Sequence, residues 1–416
     1  MRFFWRGFPG LESEAQVAGA GQRLEAVGAP GPASSSSPFN SGRTGASVPG
    51  SRAGVGENGM ETLSAMWCWI SLMLTLSPYT QADFATWPGC RLTTYWGERL
   101  RVLQPTTIDQ SADVLHLESC RLTRIQSGSF HNSPNIRIIH LENNQIQHLE
   151  AGAFDDTTKL EEVVLSNNGL LGKNLPPNIF SNCRKLGSLR FTGNDMKDTP
   201  SGLLMGLDIN ILDLERCALR EVPSFVTRHS LPKLVNIDMS DNQIRRLDAD
   251  TFSSVPNLET LNIKNNLIEY LHENAFSPLI QITGIFLNGN KIRYLPENLF
   301  IDKSSLGTIN LADNLIDHVP ANAFKDTTDL WDLNLSGNRL TYLPNDFFTV
   351  LQGKMEIFYF DRNPWQCACL NEIITKVKKK DIQYEGKTFN GREPVCMMNG
   401  FRCSKPQDYP QLYGKS

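Results

Sequence analysis

The sequence lacks an appreciable charge imbalance, a second long apolar run and any familiar catalytic signature. Its 44 acidic and 40 basic side chains leave a formal net charge of −4 over 416 residues, so the basic excess that marks nucleic-acid binders is missing. G-x-S-x-G, H-E-x-x-H and phosphate-cradling glycine loops do not occur, which removes the usual signs of a hydrolase, a zinc protease or a nucleotide-binding enzyme. No catalytic activity is expected, and no cofactor. Beyond residue 82 no apolar stretch approaches the roughly 20 residues of a membrane span. The polar end QLYGKS carries no lipid-anchor signal.

What is present divides sharply. Residues 1–59, with AVGAPGPASSSSPFNSGRTGASVPGSRAGVGENG, are built of small and polar types with little to bury, and read as a disordered leader that synthesis from Met60 would omit. Residues 60–82 read as a signal peptide. Thr62 to Ala82 is uncharged, Met66 to Leu76 has the length of an h-region, and Thr80 and Ala82 offer a cleavage site. A type II membrane anchor is the alternative. Nine cysteines, four of them in the last fifty residues, agree with an oxidising, extracellular setting.

The middle of the chain is periodic. VLHLESCRL at 114–122 returns as IIHLENNQI at 138–146, twenty-four residues on. The first apolar residues of successive units are Ala112, Ile136, Leu160, Leu186, Ile209, Leu234, Leu258, Ile282, Leu306, Leu330 and Met355, spaced by 23 to 26. Within each unit positions 1, 4, 6, 11 and usually 14 are apolar, and a Phe falls near position 19. Position 9 is Asn in nine units and Cys120 or Cys217 in the other two. This is the leucine-rich repeat pattern L-x-x-L-x-L-x-x-N/C-x-L. Alternation at positions 4 and 6 predicts a short strand with side chains 3, 5 and 7 outward. The Asn amide is placed to satisfy backbone groups inside the coil. One coil buries too little to stand alone, so stacked repeats and end caps are required. The expected fold is an α/β solenoid: a leucine-rich repeat horseshoe with a parallel concave sheet over 112–362, an N-terminal cap over 83–111, a C-terminal cap over 363–403 and a tail over 404–416.

The stretch NPWQCACLNEIITKVKKK, continuing to Cys396 and Cys403, resembles the cysteine-rich C-terminal flank of animal extracellular leucine-rich repeat proteins. These include Toll-like receptor ectodomains, connectin and Slit. The resemblance implies disulfides Cys367–Cys396 and Cys369–Cys403, with Trp365 plugging the core in place of a repeat leucine. Four-cysteine zinc is the competing reading, although its pairs are normally C-x2-4-C rather than C-x-C. Cys90 is expected to bond Cys120, with a partner chain as the alternative, and Cys183 and Cys217 to be buried thiols.

Parallel strands about 4.8 Å apart turn equivalent positions into columns. His116 and His140 share position 5, and Glu118 and Glu142 share position 7, so the four should form an outward square. Such a set has the donors for a divalent metal or a pH-sensitive contact, but a solvated polar patch is the simplest reading and no metal is assigned. Farther along, Glu161, Glu162, Asp213, Glu215, Asp238 and Asp241 alternate with Arg137, Arg190, Arg216 and Lys264. Later repeats expose Phe286, Trp331 and Tyr359, candidates for a ligand contact. Asn334-Leu-Ser336 is a glycosylation sequon on the same face, in conflict with a ligand there. The slip at GLLGKNLPPNIF and the run KVKKK read as drift in the convex wall and as the wet side of a cap helix.

A secreted binding protein is therefore expected, with an extracellular protein or glycan as partner in adhesion, receptor partnership or innate immunity. The alternative is a non-catalytic inhibitor or scaffold subunit of a secreted enzyme.

Overall fold

The computed structural model describes Val102, Leu103, Ile108, residues 111–131, 133–351 and 355–384, Cys396, Arg402 and Cys403. Residues 1–82, with the expected leader and signal peptide, Cys90 and residues 404–416 lie outside these. Eleven short strands, one per repeat, form a single sheet in which every strand pairs in parallel with its sequence neighbour. They are β1 Val114–His116, β2 Ile138–His140, β3 Glu162–Val164, β4 Ser188–Arg190, β5 Ile211–Asp213 and β6 Asn236–Asp238. β7 Thr260–Asn262, β8 Gly284–Phe286, β9 Thr308–Asn310, β10 Asp332–Asn334 and β11 Ile357–Tyr359 complete it. The register is that of the repeat, with His116 opposite His140 and Asn334 opposite Tyr359.

The template residues fill the coil. In the unit from Leu258, the side chains of Leu258, Leu261, Ile263, Ile268, Leu271 and Phe276 are all buried. On the far wall the phenylalanines stack from repeat to repeat: Phe252, Phe276, Phe300 and Phe324 have successive ring centroids 6.2, 6.0 and 5.5 Å apart. The unit starting at Leu186 has no such Phe, and a 3-10 turn, Ser201–Leu204, buries Leu203 and Leu204 there instead.

Each position-9 Asn acts as the sequence predicts. Asn266 donates from Nδ2 to the carbonyls of Met239, Ile263 and Lys264 and accepts at Oδ1 from the Ile244 N–H. Cys217 solves the same problem differently. Its thiol donates to the Phe191 and Glu215 carbonyls, while the Met196 N–H turns to the carbonyl of Cys217 itself. The residue just before this slot has positive φ in all eleven units, from Ser119 to Arg362. Glycine adopts this conformation without strain at Gly289, where a Cβ would also push aside the Asn265 carboxamide oxygen.

The C-terminal cap follows the resemblance. Cys367 bonds Cys396 and Cys369 bonds Cys403, which excludes the four-cysteine zinc reading. Trp365 is fully buried and donates from Nε1 to the Phe360 carbonyl at 2.8 Å. Helix α1, Cys367–Lys379, buries Leu370, Ile373 and Val377. The chain then returns along β11, bridging Gln383 to Ile357, and closes that edge of the sheet. Two lysines of the KVKKK region are tied down, Lys376 to the Asn345 carbonyl and Lys380 to that of Phe348. Cys183 and Cys217 are free and buried, as expected. Cys120 is disulfide-bonded. Its expected partner Cys90 is outside the described residues.

Candidate functional site

The outward columns of the sheet carry the candidate residues. In β1 and β2 the two imidazoles stack face to face, with centroids 4.9 Å apart and planes 4° from parallel. His116 Nδ1 lies 2.8 Å from Glu118 Oε1, and His140 Nδ1 lies 3.4 Å from Glu142 Oε1. The square is therefore formed, but it is not freely solvated: the four side chains are only 21–30% exposed. Glu118 Oε2, His140 Nδ1 and Glu142 Oε2 are closed to solvent and have no hydrogen-bond partner. The approach of His140 to Glu142 is thus an ion-pair contact without hydrogen-bond alignment. Glu142 nonetheless holds the His140 imidazole above its ordinary pKa, against the opposing effect of burial, and Glu118 and Glu162 add to the rise.

The acidic stretch is largely engaged within the protein. Arg137 pairs with Glu161 at 2.7 Å, Arg190 with Glu162 at 3.1 Å and Arg216 with Glu215 at 3.4 Å. Asp238 accepts from the Ser240 N–H and hydroxyl and from Asn262 Nδ2, and Asp241 accepts from Asn265 Nδ2. Burial pushes the Glu215 carboxyl up. Lys264 gives no charge pair among these contacts.

The late aromatics face outward but do not form one cluster. Phe286 and Tyr359 share a column, with Asn310 and Asn334 on the strands between them. At about 4.8 Å per strand they are roughly 14 Å apart. Trp331 precedes β10, is 37% exposed and lies against Gly307, where any Cβ would strike its indole nitrogen. The sequon asparagine, Asn334, sits beside Tyr359, and its Oδ1 accepts from the Ser336 N–H and hydroxyl.

A second column escaped the sequence reading. Position 13 starts short two-strand ribbons after the Asn turn at Arg124 and His148 and at Arg246 and Tyr270, and Tyr294 bridges His318 in the same way. In the later repeats this column carries Arg246, Tyr270, Tyr294, His318 and Tyr342. The Arg246 guanidinium lies 5.1 Å from the centre of the Tyr270 ring. Tyr342 Oη is 2.7 Å from His318 Nδ1, and burial raises the Tyr342 phenol. Tyr270 and Tyr294 are among the exposed large hydrophobic side chains described. Three tyrosines and a histidine at a spacing of 24 were the available signal, missed because the template follows only apolar and Asn positions.

Comparisons with known proteins agree with this architecture. The family model described as leucine rich repeat matches residues 110–170, 232–292 and 280–340. A chain of the TLR13–ssRNA13 complex is similar at 22% identity and a TM-score of 0.53, over 60% of this chain, which spans 39% of the length of that one. A chain from an octameric complex of Latrophilin 3 (Lec, Olf), Unc5D (Ig, Ig2, TSP1) and FLRT2 (LRR) is similar at 23% identity and a TM-score of 0.55, covering 70% of this chain and 95% of that one. No curated protein matches. At these identities the solved structures speak for the fold alone. With the periodic sequence, the in-register parallel sheet and the bonded cap, they lead to one conclusion: the chain carries leucine-rich repeats, folded as a parallel-strand solenoid and followed by a disulfide-bonded, cysteine-rich C-terminal cap.

Proposed function

We propose that this chain is a secreted recognition protein that binds an extracellular protein through the outward face of its sheet, in adhesion, receptor partnership or innate immunity. The observation that carries this reading is the row Phe286, Asn310, Asn334, Tyr359 on β8 to β11 with Trp331 alongside. It is a mixed aromatic and amide surface on a backbone whose interior is already filled. Aromatic groups beside polar neighbours are the usual anchors of an interface. Secretion is supported by the disulfides of the cap, which persist in oxidising compartments. No helix among the described residues is long and apolar enough to cross a membrane. The solved relatives come from one complex with ssRNA13 and one with protein partners. The small net charge of −4 favours the protein class for this chain.

The test is capture from extracellular fluid with the full chain, disulfides intact, followed by mass spectrometry and a binding measurement. A stoichiometric protein partner is expected, with affinity reduced at least tenfold by Phe286→Ala combined with Tyr359→Ala. Binding that is indifferent to both substitutions would remove the assignment to this face. Recovery of a stoichiometric enzyme would instead make the chain a regulatory subunit.

A further inference from the structure

Two consecutive repeats place His at position 5 and Glu at position 7, and the register of β1 and β2 sets the pairs side by side. One ligating atom from each of Glu118, His140 and Glu142 lies within 4.8 Å of the other two. A separate observation concerns solvation. Glu118 Oε2, His140 Nδ1 and Glu142 Oε2, one atom from each of the same residues, are sealed from solvent without a hydrogen-bond partner. A patch of ordinary surface charge keeps such atoms in water, because an unpartnered buried polar atom is costly and a charged one more so. The solvated-patch expectation therefore fails to account for the two carboxylate oxygens, and His140 Nδ1 has only its 3.4 Å ion-pair approach to Glu142 Oε1.

We propose that Glu118, His140 and Glu142 form a binding site for a divalent transition-metal ion of the zinc class. Two carboxylates and one neutral imidazole carry a charge of −2, which a divalent cation cancels while giving each sealed atom a partner. The imidazole selects zinc and its neighbours over magnesium and calcium, which favour oxygen ligands throughout. His116 has a positioning role. Its Nδ1 holds Glu118 Oε1 at 2.8 Å, leaving Oε2 for the metal, and its ring stacks on that of His140. Hydrogen bonds of this kind to a ligating carboxylate commonly tune affinity 10–100-fold. Bonds of about 2.0–2.2 Å in a tetrahedron place ligands about 3.4 Å apart, so the donors need to converge by roughly 1 Å. The next strand offers Val164 and Ser166 at the equivalent positions, which confines the site to the first two repeats. Three protein ligands leave a coordination position open to water or to a group of a binding partner.

The experiment uses the full chain, disulfides intact and stripped with a chelator, titrated calorimetrically with zinc chloride and, separately, with magnesium and calcium chloride. One equivalent of zinc is expected to bind with micromolar or tighter affinity, with no heat from magnesium or calcium. Zinc should raise the melting temperature of the wild type. Glu118→Gln, His140→Gln and Glu142→Gln should each weaken binding at least a hundredfold, and His116→Asn about tenfold. Histidine ring NMR of the wild type gives a reading that needs no variant: zinc should shift His140 and leave His229 and His272 in place. Absence of a stoichiometric zinc site at about 100 µM metal, roughly a hundredfold above the expected Kd, would overturn it. So would binding unchanged in folded Gln variants, or ring shifts at His229 or His272 instead.

Discussion

Replacing Asn266 by alanine removes a side chain that serves four backbone groups in two coils. Its two amide hydrogens reach the carbonyls of Met239, Ile263 and Lys264 at 2.9–3.1 Å, and its oxygen takes the Ile244 N–H at 3.0 Å. Two hydrogens and one acceptor amount to three full bonds. At about 1 kcal/mol net for each, with a further penalty for buried groups left unpaired, the loss is about 3–5 kcal/mol. Arrays of this kind can unfold in stages, so a local probe is better than one global midpoint. Amide exchange at Ile244 should accelerate by nearly a thousandfold, each 1.4 kcal/mol being about tenfold. Asn266→Cys copies the solution already present at Cys217, where one S–H is shared between two carbonyls, and should recover part of the loss. Exchange at Ile244 unchanged in the alanine variant, with stability within the roughly ±0.5 kcal/mol of an ordinary surface substitution, would refute the role given to the Asn column.

Phe276 packs between Phe252 and Phe300, so Phe276→Ala should cost about 3–5 kcal/mol in denaturant unfolding, and a loss under about 1 kcal/mol would count against the stacked far wall. Burial pushes the Cys183 thiol up to about 11 and that of Cys217 up to about 12. At pH 8 both should resist alkylation in the native protein and react on unfolding, as peptide mapping would show. Burial also raises the Asp332 carboxyl above its ordinary 3.8. The folded state therefore holds this proton more tightly, and stability from this group falls as pH rises from 3.8 through the folded value. Asp332→Asn should accordingly melt higher than the wild type at pH 7, with the difference vanishing below pH 3.8; equal melting temperatures at pH 7 would contradict this. Where Asn334 bears a glycan, Asn334→Gln should strengthen partner binding at the Tyr359 side, and unchanged affinity would separate the glycan from the contact surface.

Much of the fold was legible because the residues that build it repeat. Leu261 and Ile263 alternate inward, and Asn266 returns every 24 residues or so. Together they define strand, turn and stacking direction before any coordinates. The cap was legible through Trp365 and the spacing of four cysteines. What escaped depends on contacts rather than on period. The pairing of Arg190 with Glu162 crosses from one strand to the next and is set by rotamers, which the order of residues does not show. The column from Arg246 to Tyr342 mixes three residue types and matches no apolar template. The sealing of Glu118 Oε2 and Glu142 Oε2 arises from how two imidazoles lean together, which letters do not encode. Phe286 and Tyr359 were correctly turned outward, but the distance between them follows from the two strands that intervene.

The unit beginning at Leu160 runs 26 residues to the next start, and the excess falls at the turn Gly172–Asn174, outside the strands of the main sheet. β3 and β4 still meet in register, Glu162 opposite Ser188. The scaffold thus absorbs a change of length after its strands without shifting the register of the main sheet. A fluorescent label or peptide tag grafted beside Lys173 would ride on the protein while leaving the front columns unaltered, and gives an attachment point for tracking the molecule in living tissue.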